Sequence, residues 1–302
     1  MIGPMPRTAS RARALTAKLL ARWPLPATDA QTDKEGRGHV LVVGGCSEMP
    51  GAVLLAATAA LRAGAGKLTV AVPQCVAQGL ALAMPEARVI AMAEMRTGAM
   101  SCRGVGQLAG LAHQVGAMVI GPGMADEAGT SEFVRKLLPH FRNCVVVLDA
   151  YAMSAVGRKP FNQPLVFTPH CGEMAHLTGD SKDEILADQL AYARLAAARW
   201  GACVALKGAD TYLAQADGSA LCWKGRTPGL AVSGSGDTLA GVVAGIAARG
   251  VPAFHAAAWG IVLHALAGKA LTRRHGTVGF LARELSEEVP RLMHTLTRAG
   301  IP

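Results

Sequence analysis

The chain has 302 residues, 17% of them charged and 51% hydrophobic, which excludes a disordered chain and allows a large core. Its length suits one large α/β domain. A net charge of +9 fits an anionic ligand such as a nucleotide, while 4% aromatics and no recognisable nucleic-acid module argue against a DNA or RNA binder.

Residues 1–36 carry Arg7, Arg11, Arg13 and Lys18 without a clear period. No long apolar core and cleavage site follow. They read as a basic surface arm or short helix with a linker, not as a signal peptide. From His39 onward, β-branched runs alternate with Ala-rich segments of helix length. The pattern predicts strands at 39–43, 67–72, 88–91, 117–120, 144–149, 165–168 and 202–206, with helices such as 51–63 and 104–115 between them. Continuous apolar strands separated by helices predict a mainly parallel central sheet covered by helices on both faces, in one domain over 37–302. Runs 210–215 and 219–223 flank Ala216-Asp217-Gly218, an Asp-Gly turn that predicts a hairpin. The last quarter is helical. Its apolar stretch 254–271 carries His255, His264 and Lys269, so it reads as a buried or interface helix, not a membrane span. Seven cysteines, at 46, 75, 102, 144, 171, 203 and 222, include no C-x-x-C pair. They suggest neither zinc nor a disulfide framework, and they point to reduced thiols in the cytoplasm.

Ser233-Gly234-Ser235-Gly236-Asp237 ends a Gly/Pro-containing loop and opens an apolar helix predicted over 238–249. Glycines let several N–H groups converge, and a helix N-terminus adds its dipole and unpaired donors, so the segment is a candidate phosphate site. Asp237 is then an anion where an anion should bind. It has two readings: an N-cap residue, or a base for a hydroxyl that attacks a phosphoryl group.

Other unusual loops follow predicted strands, where ligands bind in open α/β sheets. Gly44-Gly45-Cys46 through Ala52 is neither a P-loop nor a dinucleotide fingerprint. It is an ordinary turn or a place where backbone meets ligand. Gly121-Pro122-Gly123 is a turn or a pocket floor. Asp149 ends an apolar strand, where a carboxylate needs a partner, a cation or a capping role. In Thr168-Pro169-His170, the residue before Pro169 is extended, so His170 either meets a ligand or caps the helix starting near Gly172. Lys207-Gly208-Ala209-Asp210-Thr211 suits nucleotide phosphate or ribose contacts.

Taken together, these stretches resemble the ADP/ATP-dependent NAD(P)H-hydrate dehydratases, enzymes of ribokinase-like fold. The resemblance runs from about Lys34 to about Leu292. It rests on Gly36-Arg37-Gly38-His39 with the strand to Gly44-Gly45, on Gly51-Ala52, and on Arg62-Ala63-Gly64-Ala65-Gly66. It continues through Gly121-Pro122-Gly123, Leu148-Asp149-Ala150, Thr168-Pro169-His170 with Gly172-Glu173-Met174, Leu206-Lys207-Gly208 and Gly234-Ser235-Gly236-Asp237 with Leu239-Ala240-Gly241. Gly-x-Gly-Asp alone is common to many kinases of this fold. The ordered set is much more specific. Tyr151, Cys171 and Ser233 depart from the usual pattern, and Tyr151 weakens any metal assignment around Asp149.

The resemblance implies repair of NADH or NADPH hydrated on the nicotinamide ring. Ala52, Gly123, His170 and Asp237 would contact the hydrated dinucleotide. Lys207 to Thr211 and Gly236 would contact ADP or ATP, with Mg²⁺ on its phosphates. Asp237 would assist the ring hydroxyl, and the amides of Gly234, Ser235, Gly236 and Asp237 would stabilise the transferred phosphoryl group. The family also implies a homotetramer, and a separate epimerase as functional partner. A small-molecule kinase of the same fold shares Gly234 to Asp237 and is the competing reading, followed by a nucleotide binder without turnover.

Overall fold

The computed structural model describes residues 11–27, 31–157 and 161–298; Arg7 of the basic arm lies outside them. The chain runs through β1 (Arg13–Ala14), α1 (Ala17–Leu20), β2 (His39–Val43), α2 (Pro50–Arg62), β3 (Lys67–Pro73), α3 (Gln74–Ala83) and β4 (Arg88–Met92). It continues with α4 (Val105–Ala109), β5 (Ala117–Ile120), α5 (Glu127–Leu137), β6 (Val145–Leu148), β7 (Leu165–Phe167), α6 (Cys171–Thr178), α7 (Lys182–Ala187) and α8 (Gln189–Trp200). It closes with β8 (Cys203–Leu206), β9 (Asp210–Ala214), β10 (Ala220–Lys224), α9 (Ser235–Ala248), α10 (Ala253–His275) and α11 (Ala282–Arg298).

Among the described residues, ten strands form one sheet, in the order β1-β10-β9-β8-β7-β6-β5-β2-β3-β4. From β8 to β4 every pairing is parallel. Only β9 runs against both neighbours, because the predicted hairpin joins it to β10. Side chains alternate across a strand. Val40 and Val42 therefore enter a core with α2, α9 and α10, while Leu41 and Val43 enter the opposite core with α5 and α8. Both faces are apolar, so both require helical cover.

Three expectations change. The residues read as a basic surface arm or short helix do form the short helix α1, but they are not a free surface arm: Arg13 and Ala14 pair with β10, and Leu15, Leu19 and Leu20 are buried. The helix predicted over 104–115 stops at Ala109, where Gly106 and Gly110 weaken propagation. Helix α9 starts at Ser235, three residues before the predicted 238. The apolar 254–271 stretch lies in α10, which is long and apolar enough to cross a membrane, yet 67% of its apolar window is packed inside the fold. All seven cysteines are unpaired.

The contact that fixes α9 is a close backbone approach to α2. A β-carbon on Gly241 would sit 2.1 Å from the Ala56 carbonyl oxygen, and one on Gly245 would sit 2.3 Å from that of Ala60. Gly241→Val should therefore force the helices apart and destabilise the fold by about 3 kcal/mol, measured as a lower urea midpoint with an unchanged slope.

Candidate active site

The loops at 44–49, 121–123, 149–150, 168–170 and 207–209 leave the carboxyl ends of β2, β5, β6, β7 and β8. The start of α9 lies over this edge. Gly234 turns the chain with φ +88, and Ser235, Gly236 and Asp237 form the first helical turn. The cap position thus belongs to Gly234, and the reading of Asp237 as an N-cap residue is excluded. As first-turn positions, Gly236 and Asp237 present N–H groups with no carbonyl one turn below them, at the positive end of the helix dipole.

A cluster of charges faces this turn. Asp149 is buried and caps no helix with its side chain. Its Oδ1 accepts a hydrogen bond from Thr168 Oγ1 at 2.7 Å and lies 3.5 Å from Lys207 Nζ. Lys207 Nζ is also 3.8 Å from Glu173 Oε2. Burial alone would lower the Lys207 pKa, but Asp149 and Glu173, with Asp237, outweigh it and hold the ammonium above its ordinary value. Asp237 is half-buried. Desolvation and then repulsion from Asp149 push its pKa up to about 7, with Lys207 opposing and Glu173 adding. A carboxylate of that pKa is suited to accepting a proton near neutral pH.

His170 does two things at once. Its Nδ1 accepts the Glu173 backbone N–H at 3.1 Å, and the Glu173 carboxylate accepts the His170 backbone N–H at 2.7 Å, a reciprocal cap of α6. With Nδ1 occupied as an acceptor, the neutral ring carries its proton on Nε2. That N–H belongs to a largely exposed side chain, 3.6 Å from Glu173 Oε2 and beyond hydrogen-bond distance of it, so a ligand can reach it.

Two cavities meet here. The first, of about 660 Å³, is lined by Lys207, Gly208, Ala209, Thr211, Ser235 and Gly236, with Trp223 and His264. The second, of about 940 Å³, is lined by Ala52, Gly123, Asp149, Glu173, Gly234 and Asp237. His170, Lys207 and Gly236 belong to both linings. The arrangement can hold two ligands on either side of one helix N-terminus, with an anion-attracting wall between them.

Residues 40–291 match the model of a family described as NAD(P)H-hydrate dehydratase. The chain belongs to the NAD(P)H-hydrate dehydratase family. It is 49% identical over 291 residues to a Xanthomonas campestris protein named ADP-dependent (S)-NAD(P)H-hydrate dehydratase, covering 96% of this chain and 99% of that one. A crystal structure of the Bacillus subtilis ADP/ATP-dependent NAD(P)H-hydrate dehydratase, co-crystallised with ATP/Mg²⁺, aligns with a TM-score of 0.83 at 29% identity, covering 95% of this chain and all of that one (100%). A ribokinase-like superfamily protein from Enterococcus faecalis aligns with a TM-score of 0.81 at 26% identity, over 95% and 97% of the two chains. The fold is ribokinase-like.

The residues expected on the dehydratase's substrate side, Ala52, Gly123, His170 and Asp237, line one cavity. Of those expected on the nucleotide side, Lys207, Gly208, Ala209, Thr211 and Gly236 line the other, and Asp210 does not. Neighbouring side chains on β9 point to opposite faces. Thr211 therefore faces the cavity, while Asp210 reaches it only through Arg226, a lining residue whose Nε lies 3.8 Å from the Asp210 carboxylate. Sequence reasoning missed Trp223, which has the Lys269 ammonium 5.2 Å over its ring, and His264. Neither carries a local motif. Tyr151 and Cys171 sit beside this edge, Tyr151 in the second lining and Cys171 behind Lys207, whose carbonyl is 3.7 Å from its Sγ.

The raised Asp237 pKa carries a stability cost. The folded value of about 7 lies above the ordinary carboxylate value of 3.8, so stability falls as pH rises from about 4 to about 7 and Asp237 ionises in the fold. Asp237→Asn should raise Tm at about pH 8, and the gain should shrink as pH falls below 7 and vanish near pH 4. Scanning calorimetry of both proteins across that range checks it.

Proposed function

We infer that this protein is a nucleotide-dependent dehydratase that returns the S epimer of hydrated NADH or NADPH to the reduced cofactor. The observation that carries this reading is the pair of cavities that share His170, Lys207 and Gly236, with Asp237, next to Gly236, lining the second. One is large enough for a substantial part of a dinucleotide, and the other suits ADP or ATP.

In this reading Asp237 takes the proton of the ring C6 hydroxyl as its oxygen attacks the terminal phosphorus of the donor. ADP leaves as AMP, or ATP as ADP. The first-turn amides of α9 and the Lys207 ammonium neutralise charge on the transferred group. The ring nitrogen then expels phosphate, a better leaving group than hydroxide, and loss of the C5 proton restores the double bond. His170 holds the dinucleotide through its Nε2–H. Its capped Nδ1 makes it a donor in this site and not a base. Holding both substrates against one helix end supplies much of the rate gain.

Mg²⁺ enters with the donor phosphates. Among the described residues no group of three or more His, Cys, Asp or Glu side chains forms a metal cage. Asp149 is engaged by Thr168 and Lys207, and the donor phosphates themselves would hold the ion. A homotetramer in the cytoplasm, beside a separate epimerase that converts the other epimer, completes the proposal. Its support is the family resemblance, together with the seven unpaired cysteines for the compartment.

The test is near-ultraviolet absorbance of the reduced nicotinamide, with hydrated NADH, Mg²⁺ and either ADP or ATP. A nucleotide-dependent rise is expected. Nucleotide consumption without that rise would favour a small-molecule kinase of the same fold. Asp237→Asn should still bind nucleotide while turnover falls by at least about a hundredfold; full activity would remove Asp237 as the base. His170→Ala should weaken dinucleotide binding about tenfold and donor binding much less, read from the two KM values.

A further inference from the structure

His264 lies on α10, opposite the first residue of α9. Its Nε2 is 2.9 Å from Ser235 Oγ and 3.0 Å from the Ser235 carbonyl oxygen. A carbonyl oxygen only accepts, so Nε2 carries the proton and one N–H is shared between both oxygens of Ser235. Burial, aided by the nearby Lys207 ammonium and against the Ser235 backbone, pushes the His264 pKa down to about 4. The ring is therefore a neutral donor at physiological pH.

Ser235 Oγ thus accepts from His264, which leaves its own O–H free to donate. Among the described residues, no other group pairs with this hydroxyl. Ser235 and His264 both line the first cavity, beside Gly236 and Lys207. An unused O–H next to an ammonium and a helix N-terminus calls for an anionic acceptor. A neutral histidine underneath supplies a donor without adding a negative charge that would oppose the anion.

We propose that His264 is a positioning residue that locks Ser235 so that its hydroxyl donates to the phosphate chain of the donor nucleotide. The proposal rests on the dehydratase reading for the identity of the ligand, a nucleoside di- or triphosphate.

The test compares Ser235→Ala, His264→Leu, His264→Gln and the double variant Ser235→Ala/His264→Leu with wild type. Calorimetry gives the Kd for ADP, and steady-state assays give KM for donor and hydrated dinucleotide separately. Both single variants should raise the donor KM and the ADP Kd about tenfold or more. The KM for the hydrated dinucleotide should stay within about twofold. Gln at 264, which retains an N–H, should recover most of the loss. The double variant should be no worse than either single, because both remove one unit.

Unchanged ADP affinity in Ser235→Ala overturns the proposal, and that variant retains the buried histidine if His264→Leu fails to fold. Equal weakening of both substrates, or additive losses in the double variant, overturns it too. Absence of turnover by wild type would instead sink the dehydratase reading, while the ADP Kd values would still decide the role of His264.

Discussion

The backbones of α2 and α9 press together at Gly241 and Gly245, with the Ala56 and Ala60 carbonyls filling the space a side chain would need. This contact sets the register of the site. Helix α2 carries Ala52 at its start and Leu55 one turn on. Leu55 Cδ1 occupies the space beside Gly234, where a β-carbon would come within 2.4 Å of it. One helix pair therefore aligns the floor of the second cavity with the first turn of α9. The Ala- and Gly-rich composition that looks featureless along the sequence is what permits so close an approach.

The second constraint is electrostatic. Three carboxylates, Asp149, Glu173 and Asp237, surround Lys207 at the edge of a half-buried site. One ammonium cannot balance them all, and Asp237, desolvated by burial and then repelled by Asp149, has the raised proton affinity. The raised proton affinity lets Asp237 take a hydroxyl proton more readily than an isolated aspartate would, while Lys207 and the first-turn amides of α9 keep the neighbouring wall attractive to anions. Thr168 and the cap formed by His170 and Glu173 keep the arrangement rigid.

Much of this was legible in the chain. Strands 39–43 and 117–120 run as their patterns imply, because strands buried on both faces leave uninterrupted apolar runs that glycine terminates. The loops after β2, β5, β6, β7 and β8 stood out because glycine, proline and charge interrupt apolar sequence there. Helix 104–115 was overread, since its apolar period hid two glycines that weaken a short surface helix. Asp210 lay inside a run of otherwise cavity-lining residues, and only the pleat of β9 separates it from Thr211. His264 is a different case. A lone histidine in an apolar helix has no assignable chemistry until packing places Ser235, twenty-nine positions away (|i−j|=29), against it. The pairing of Arg13 and Ala14 with β10 likewise depends on a partner more than half the chain away.

The wall common to both cavities has a thermodynamic consequence. Lys207 lowers the proton affinity of Asp237 from a position that also lines the first cavity. A polyphosphate that draws the ammonium toward itself changes the field at Asp237, and linkage requires the proton on Asp237 to change polyphosphate affinity by the same factor. The two cavities are therefore not independent compartments. An anion bound in the first cavity would register at Asp237 as a shift in protonation, with no movement of the backbone needed.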